Sequence, residues 1–231
     1  DIANSGVEMS LAYNDKIGAV DFESRLVYSR NVNKVKKLVH NYKTGIDNQV
    51  INFTETSAGG GYIREGDSMG DVYITKVLKR DATGAIAVAA DGSLSSMDLP
   101  NGERLRIGNT NPDFTLGWRN NISWKGLNLS FLINARVGGI VTSETQAVLD
   151  QFGVSKATAE ARDRGYVEVA GGQRVDPQKY YEVVANQQLL GYYYYSATNV
   201  RLQNVSLTYT LPKTLLGQGW PGITVGFIAN N

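Results

Sequence analysis

The 231-residue chain contains no cysteine, one histidine and five prolines. Without cysteine there is no disulfide and no thiolate metal site, and a single imidazole leaves the usual transition-metal donor sets incomplete, so no metal and no cofactor are expected. No run of about 18 apolar residues occurs, which excludes a transmembrane helix. The formal net charge is +1, which gives no bulk electrostatic case for nucleic acid as a partner. The chain opens DIANSGVEMS, with no initiator methionine, basic segment or apolar stretch, so either a removed signal peptide or a start further upstream is expected. The mean hydropathy of −0.25 does not exclude a membrane barrel, because strands that alternate average to a neutral score.

What the chain has is glycine (25), tyrosine (13) and long alternating strands. Between Asn109 and Val137 two such strands meet at Lys125-Gly126. Phe114, Leu116, Trp118, Ile122 and Trp124 share one face of the first, and Thr115, Gly117, Arg119, Asn121 and Ser123 the other. On the second, Leu127, Leu129, Phe131, Ile133, Ala135 and Val137 alternate with Asn128, Ser130, Leu132, Asn134 and Arg136. Each strand is longer than the ~5–6 residues usual in soluble proteins and close to the ~9–11 that cross a bilayer at a tilt. A second hairpin runs from Gly6–Asn14 through a turn at Asp15–Gly18 into Ala19–Asn31, with Asp21, Glu23 and Arg25 on its polar face. Those charges suit a wet lumen better than a packed interior. Thr198–Leu211 is another long strand whose apolar phase slips between Leu202 and Val205, which predicts a bulge. Pro212–Pro221 turns the chain into a last strand that starts at Ile223 and is incomplete at Asn231.

Two long segments interrupt these strands. Residues 32–111 begin with NKVKKLVH, a candidate helical turn, and carry strand candidates at Asp71–Leu78 and Ala85–Ala89 and a hairpin turn at Asp91-Gly92. Residues 138–197 hold two short helices, each opened by a serine cap (Ser143, Ser155) and closed by glycine (Gly153, Gly165), with Gln146 as a capping-box partner. Short turns therefore alternate with long excursions, the asymmetry of an outer-membrane barrel. With about six strands, and at least eight needed for closure, the chain is expected to be a piece of something larger, all-β apart from its loop helices.

Catalytic signals are absent, and no enzyme is expected. His40 follows a lysine-rich turn and is expected in a solvated loop. Asp67 with Asp71, or Asp91 with Asp98, offers carboxylate pairs for acid–base work or calcium, but neither has EF-hand spacing. Gly59-Gly60-Gly61 lacks the Gly-Lys-Ser/Thr of a phosphate loop. The tyrosines Tyr180, Tyr181 and Tyr192–Tyr195 present rings on which sugars stack. They equally fit an interfacial aromatic girdle or loop packing, and alternation would point two of the last four each way.

Several stretches are similar to the SusC/RagA family of TonB-dependent outer-membrane receptors of Bacteroidetes. They are IGNTNPDFTLGWRNNISWKGLNLSFLINARVGG, VTSETQAVLDQFGVSKATAEARDRG, VDPQKYY and ATNVRLQNVSLTYTLPKTLL, preceded by NSGVEMSLAYN, DFESRLVYSRNVNKVKKLV and YIREGDSMGDVYITKVLKRDATG. The resemblance covers nearly the whole chain in order. It implies the C-terminal portion of a 22-stranded barrel, without its plug domain, TonB box or final strand. It further implies nutrient import across the outer membrane of a Gram-negative cell, powered through TonB–ExbB–ExbD. A SusD-like surface lipoprotein would be the partner, and oligosaccharides or peptides the cargo. On that reading Leu116, Trp118, Leu129, Phe131 and Ile133 face lipid, while Arg25, Arg119 and Arg136 face the lumen. Tyr180, Tyr181, Tyr192 and Tyr194 are candidates for ligand or lipoprotein contact. The competing reading is a soluble or surface β-rich carbohydrate-binding or adhesin module without transport. The two differ in whether Leu116, Trp118, Phe131 and Ile133 form an open band or pack on a second sheet.

Overall fold

The computed structural model describes residues 1–43, 50–51, 55–58, 61–185, 187–216 and 221–231. These fall into two units, one built from Ile2–Lys34, Asn111–Gly139 and Ala197–Asn231, the other from Asp1, Val35–Thr110 and Ile140–Ser196.

The first unit is a six-stranded antiparallel sheet of β1 (Ile2–Ile17), β2 (Val20–Val35), β3 (Phe114–Trp124), β4 (Leu127–Val137), β5 (Asn199–Thr210) and β6 (Thr224–Asn230), each paired with the next in chain order. Register keeps the apolar stripes together. Trp118 lies opposite Leu26 on one side and Ile133 on the other, Ile133 lies opposite Leu202, and Leu207 opposite Phe227. Because successive side chains alternate, every hydrogen-bonded neighbour adds to the same face. The opposite face carries Asp21, Glu23, Arg25, Arg119, Arg136 and Arg201.

Two local devices hold this register. The ladder between β4 and β5 skips Gln203, passing from Leu132↔Asn204 to Ile133↔Leu202. This is the bulge expected from the phase slip. It lets the apolar parity change from Val200 and Leu202 to Val205, Leu207 and Tyr209, while the extra residue's side chain accepts from the Asn134 amide. The β3–β4 turn is two residues with φ of 45° at Lys125 and 85° at Gly126, as a type I′ hairpin requires.

The hydrophobic side chains of the sheet face are not a core. Leu11 is 71% exposed, Trp118 42%, Leu202 48% and Phe227 65%. Among the described residues the buried hydrophobics are Val35, Leu78, Ile86, Leu94, Ala147, Ala161, Val169, Val175, Val184, Ala185, Leu189 and Tyr193, and all belong to the second unit. There Leu78, Ile86, Leu94, Val169, Val175 and Leu189 pack together, with Val88, Val167, Tyr180 and Val183 against them. Helices α1 (Glu144–Gln151), α2 (Lys156–Arg164) and α3 (Pro177–Val184) frame this unit.

Some expectations are corrected. The first turn is at Gly18-Ala19 rather than Asp15–Gly18, because the strand continues through Ile17 and Asp15 instead accepts from the Tyr13 hydroxyl. NKVKKLVH forms no helix; β2 extends through Val35, whose N–H donates to the Asp67 carbonyl. Ala85–Ala89 contributes one bridge, Arg80↔Ile86, and no strand. Residues 59–60 of the glycine run and 217–220 of the expected Pro212–Pro221 turn lie outside the described residues.

The turn gives a direct test. A Cβ at Gly126 would sit 2.7 Å from the Thr210 carbonyl oxygen in a left-handed backbone, whereas one at Gly18 meets nothing within 4 Å. Gly126→Ala should therefore cost more than the about 1–2 kcal/mol of left-handed backbone strain expected for Gly18→Ala. Urea unfolding of the intact protein in detergent checks the order, and equal losses would remove the Thr210 contact from the account.

Candidate functional site

The helical segment of the second unit is fixed by its caps. The Ser143 and Ser155 hydroxyls accept from the Gln146 and Thr158 N–H groups at 3.2 and 3.1 Å, and Gly165 ends α2 in the left-handed region at φ 84°. Gln146 completes only half of a capping box, because its amide reaches forward to Asp150 at 2.7 Å. The third helix was not anticipated, although Asp176-Pro177 is its signal. The aspartate caps Lys179 N–H at 3.1 Å, and proline takes the first helical position.

The tyrosines divide between two places, Tyr180, Tyr181 and Tyr193 round Asp150 and Tyr194 at a separate cavity. Tyr180 and Tyr181 meet edge to face at 5.1 Å between centroids; Tyr180 packs on the core, and its burial pushes its hydroxyl pKa up. Tyr181 lines a cavity of about 330 Å³ with Asp150, Phe152, Thr158 and Arg162. Tyr192 and Tyr193 end a 3₁₀ segment, so strand alternation begins only at Tyr194. Tyr193 is buried, packs with Ala147 and Ala185, and bonds Asp150. Tyr192 and Tyr195 are exposed.

Tyr194 lines a second cavity of about 400 Å³ with Ser57, Tyr62, Asp71, Val72, Tyr73, Thr75 and Arg104. Its geometry is nonlocal. Strand Asp71–Ile74 pairs with Leu105–Asn109, and Glu55–Ala58 pairs with Gly61–Arg64. The Tyr62 and Tyr73 rings meet edge to face at 4.9 Å, and the Arg104 guanidinium lies 4.1 Å from the Tyr62 centroid. Asp71, with a side chain 5% exposed, accepts from Arg106 and Asn109 at 2.7 Å each and from the Ser68 N–H at 3.0 Å. Burial pushes its pKa up, but these donors outweigh burial and hold the carboxyl below its ordinary value. Asp67 accepts from Arg64 at 2.7 Å and from the Tyr73 hydroxyl. Burial, together with that neighbouring carboxylate, pushes the Tyr73 hydroxyl up to about 12.

Asp67 and Asp71 are thus consumed by arginines and do not form an acid–base pair. Asp91 closes its own turn with Ser93, while Asp98 ion-pairs with Lys76 at 3.9 Å. Among the described residues no cluster of three His, Asp or Glu side chains could hold a metal. His40 is not a solvated loop residue. It is half-buried, and its Nε2 lies 2.7 Å from Glu65, which also accepts from the Leu38 N–H at 2.6 Å. On the sheet, Arg119 lies directly opposite Arg25, and Arg136 opposite Thr115, so all three share the polar face. Tyr62, Tyr73 and Arg104 escaped notice in the sequence; the only trace is the aromatic–arginine–aspartate density of YIREGDSMGDVYI.

An antiparallel sheet with one bare apolar face, whose strands are joined in turn by short turns and long excursions, is the architecture of a barrel wall. No family model matches the chain. It is 26% identical over 239 aligned residues to TonB-dependent receptor P3 of Formosa agariphila, covering 94% of this chain and 22% of that protein. Its fold matches the RagAB peptide transporter with a TM-score of 0.65 at 17% identity. The match to the RagAB peptide importer in its closed-closed state has a TM-score of 0.63 at 19% identity. Both matches take in 100% of this chain and 25% of the other. The chain therefore spans about a quarter of the length of these relatives. The chain is thus similar in sequence to a TonB-dependent receptor, and its fold is that of a quarter of the RagAB structures.

The Asp71 clamp carries a pH signature. Because the folded pKa lies below the unfolded value of about 4, its contribution is complete above that value and is lost as pH falls through the folded pKa. Asp71→Asn should cost about 1.5–3 kcal/mol at neutral pH. Thermal unfolding of the two proteins should show a gap that closes on acidification, and a gap independent of pH would contradict the assignment.

Proposed function

We propose that this chain forms part of the wall and outer loops of a TonB-dependent importer in the outer membrane, one that takes up oligosaccharides or peptides with a SusD-like surface lipoprotein. The observation that carries the reading is the inversion of hydrophobicity. The long strands hold their apolar side chains unburied on one face, while the buried hydrophobics lie in the excursions. A wall between lipid and a hydrated bore needs that distribution. Leu116, Trp118, Leu129, Phe131 and Ile133 then meet acyl chains, and Arg25, Arg119 and Arg136 line the bore or contact a plug. The soluble adhesin reading requires the same stripe to be buried, which the exposure of Trp118 and its neighbours disfavours.

The excursions supply the outward surface. Val148, Phe152 and Val154, at 52%, 72% and 67% exposure, place apolar side chains in and just after α1. Such a patch suits docking of the lipoprotein. Energy coupling through TonB–ExbB–ExbD would belong to parts of the receptor outside this chain.

Leu129→Arg should cost about 2–4 kcal/mol and reduce outer-membrane assembly, while Ser130→Arg on the polar face should be tolerated. Equal assembly of both variants would count against the outward assignment. Deleting residues 143–165 should leave the barrel assembled but weaken lipoprotein docking or ligand capture, read by co-purification and uptake. Normal docking and uptake would take this loop out of the mechanism.

A further inference from the structure

We infer that the cavity lined by Tyr62, Tyr73, Arg104 and Tyr194 is a subsite for the carboxylate of an acidic ligand, gripped by Arg104 while a flat apolar part of the ligand lies against the tyrosines. The inference deepens the import reading and rests on it for the site's role in ligand capture.

Three arginines, two aspartates and Glu55 sit in or beside the cavity, and Glu55 accepts from the Tyr62 hydroxyl. Arg64 is paired with Asp67 and Arg106 with Asp71, both at 2.7 Å. Asp71 accepts three hydrogen bonds, so it offers little further acceptor capacity to a ligand. Arg104 is left over. It is exposed and forms no ion pair among the described residues. Stacking on Tyr62 occupies only the guanidinium face. The N–H fork stays at its edge, in the plane that receives a carboxylate through two parallel bonds. The other open polar groups on the wall are the hydroxyls of Ser57, Thr75 and Tyr194, which have no partner among the described residues. With Asp67 and Asp71 held by arginines and Glu55 held by the Tyr62 hydroxyl, the unpaired Arg104 fork and the spare hydroxyl donors favour an anion. Its about 400 Å³ lies within the range of small-ligand sites. Tyrosine rings on the same wall favour a ligand with a C–H-rich surface beside the acid. A uronic-acid sugar presents that chemistry, and so does the carboxylate of a peptide.

The test measures binding to the purified intact receptor at low salt. The probes are trigalacturonate with its methyl ester, and an acidic tripeptide with its amide. One acid should bind about tenfold or more tighter than its uncharged counterpart, and whichever does so names the source. Arg104→Gln should abolish that preference, and Arg104→Lys should retain part of it. An acid preference absent from both pairs, or one unchanged in Arg104→Gln, overturns the subsite. Uptake by whole cells is scored separately. Acid preference without TonB-dependent uptake sinks the import reading and leaves the subsite standing; uptake without acid preference does the reverse.

Discussion

A polypeptide surrounded by hydrocarbon has no water to satisfy its backbone, so each N–H and C=O must find a partner in a neighbouring strand. On the proposed reading, that constraint explains the sheet. Six strands pair in chain order, and their registers bring every apolar stripe to one side. About a dozen large hydrophobic side chains on that side stay exposed. Burying each would be worth about 1.5–3 kcal/mol, so together they outweigh the ~5–15 kcal/mol that stabilises a typical domain. A face so costly in water calls for a second apolar phase. The outer strands, β1 and β6, likewise leave backbone groups that further wall would satisfy.

The second unit obeys the opposite rule. It buries Leu78, Ile86, Leu189 and their neighbours inside, as a water-soluble domain does, and spends its polar groups on ion pairs and caps. Asp71 ties two strand segments together through Arg106 and Asn109, beside the Tyr62–Tyr73 ring pair.

Legibility in the sequence followed the range of the interactions. Alternation, the Lys125-Gly126 turn, the Gln203 bulge and the serine caps are local, and each left a local mark. The Gly18-Ala19 turn was misplaced because Asp15 and Lys16 are usual turn residues, yet the Tyr13–Asp15 bond suits continued strand. The Tyr62–Tyr73 cavity was hidden because its contacts are distant in the chain. Asp71 and Arg106 are 35 residues apart, and Tyr194 enters from the other excursion. No window of sequence contains that site.

The central claim is that the apolar stripe meets acyl chains. Because this chain contributes no cysteine, single cysteines can be placed along it without background from its own residues. The most direct measurement labels Leu129, Val205 and Phe227 on one face and Ser130, Ser206 and Thr208 on the other, in the receptor reconstituted in liposomes. Quenching by lipid-borne and aqueous agents is then compared. The first set should be quenched from the lipid and the second from water. Protection of the first set from both agents, or a reversal of the two patterns, would contradict the account.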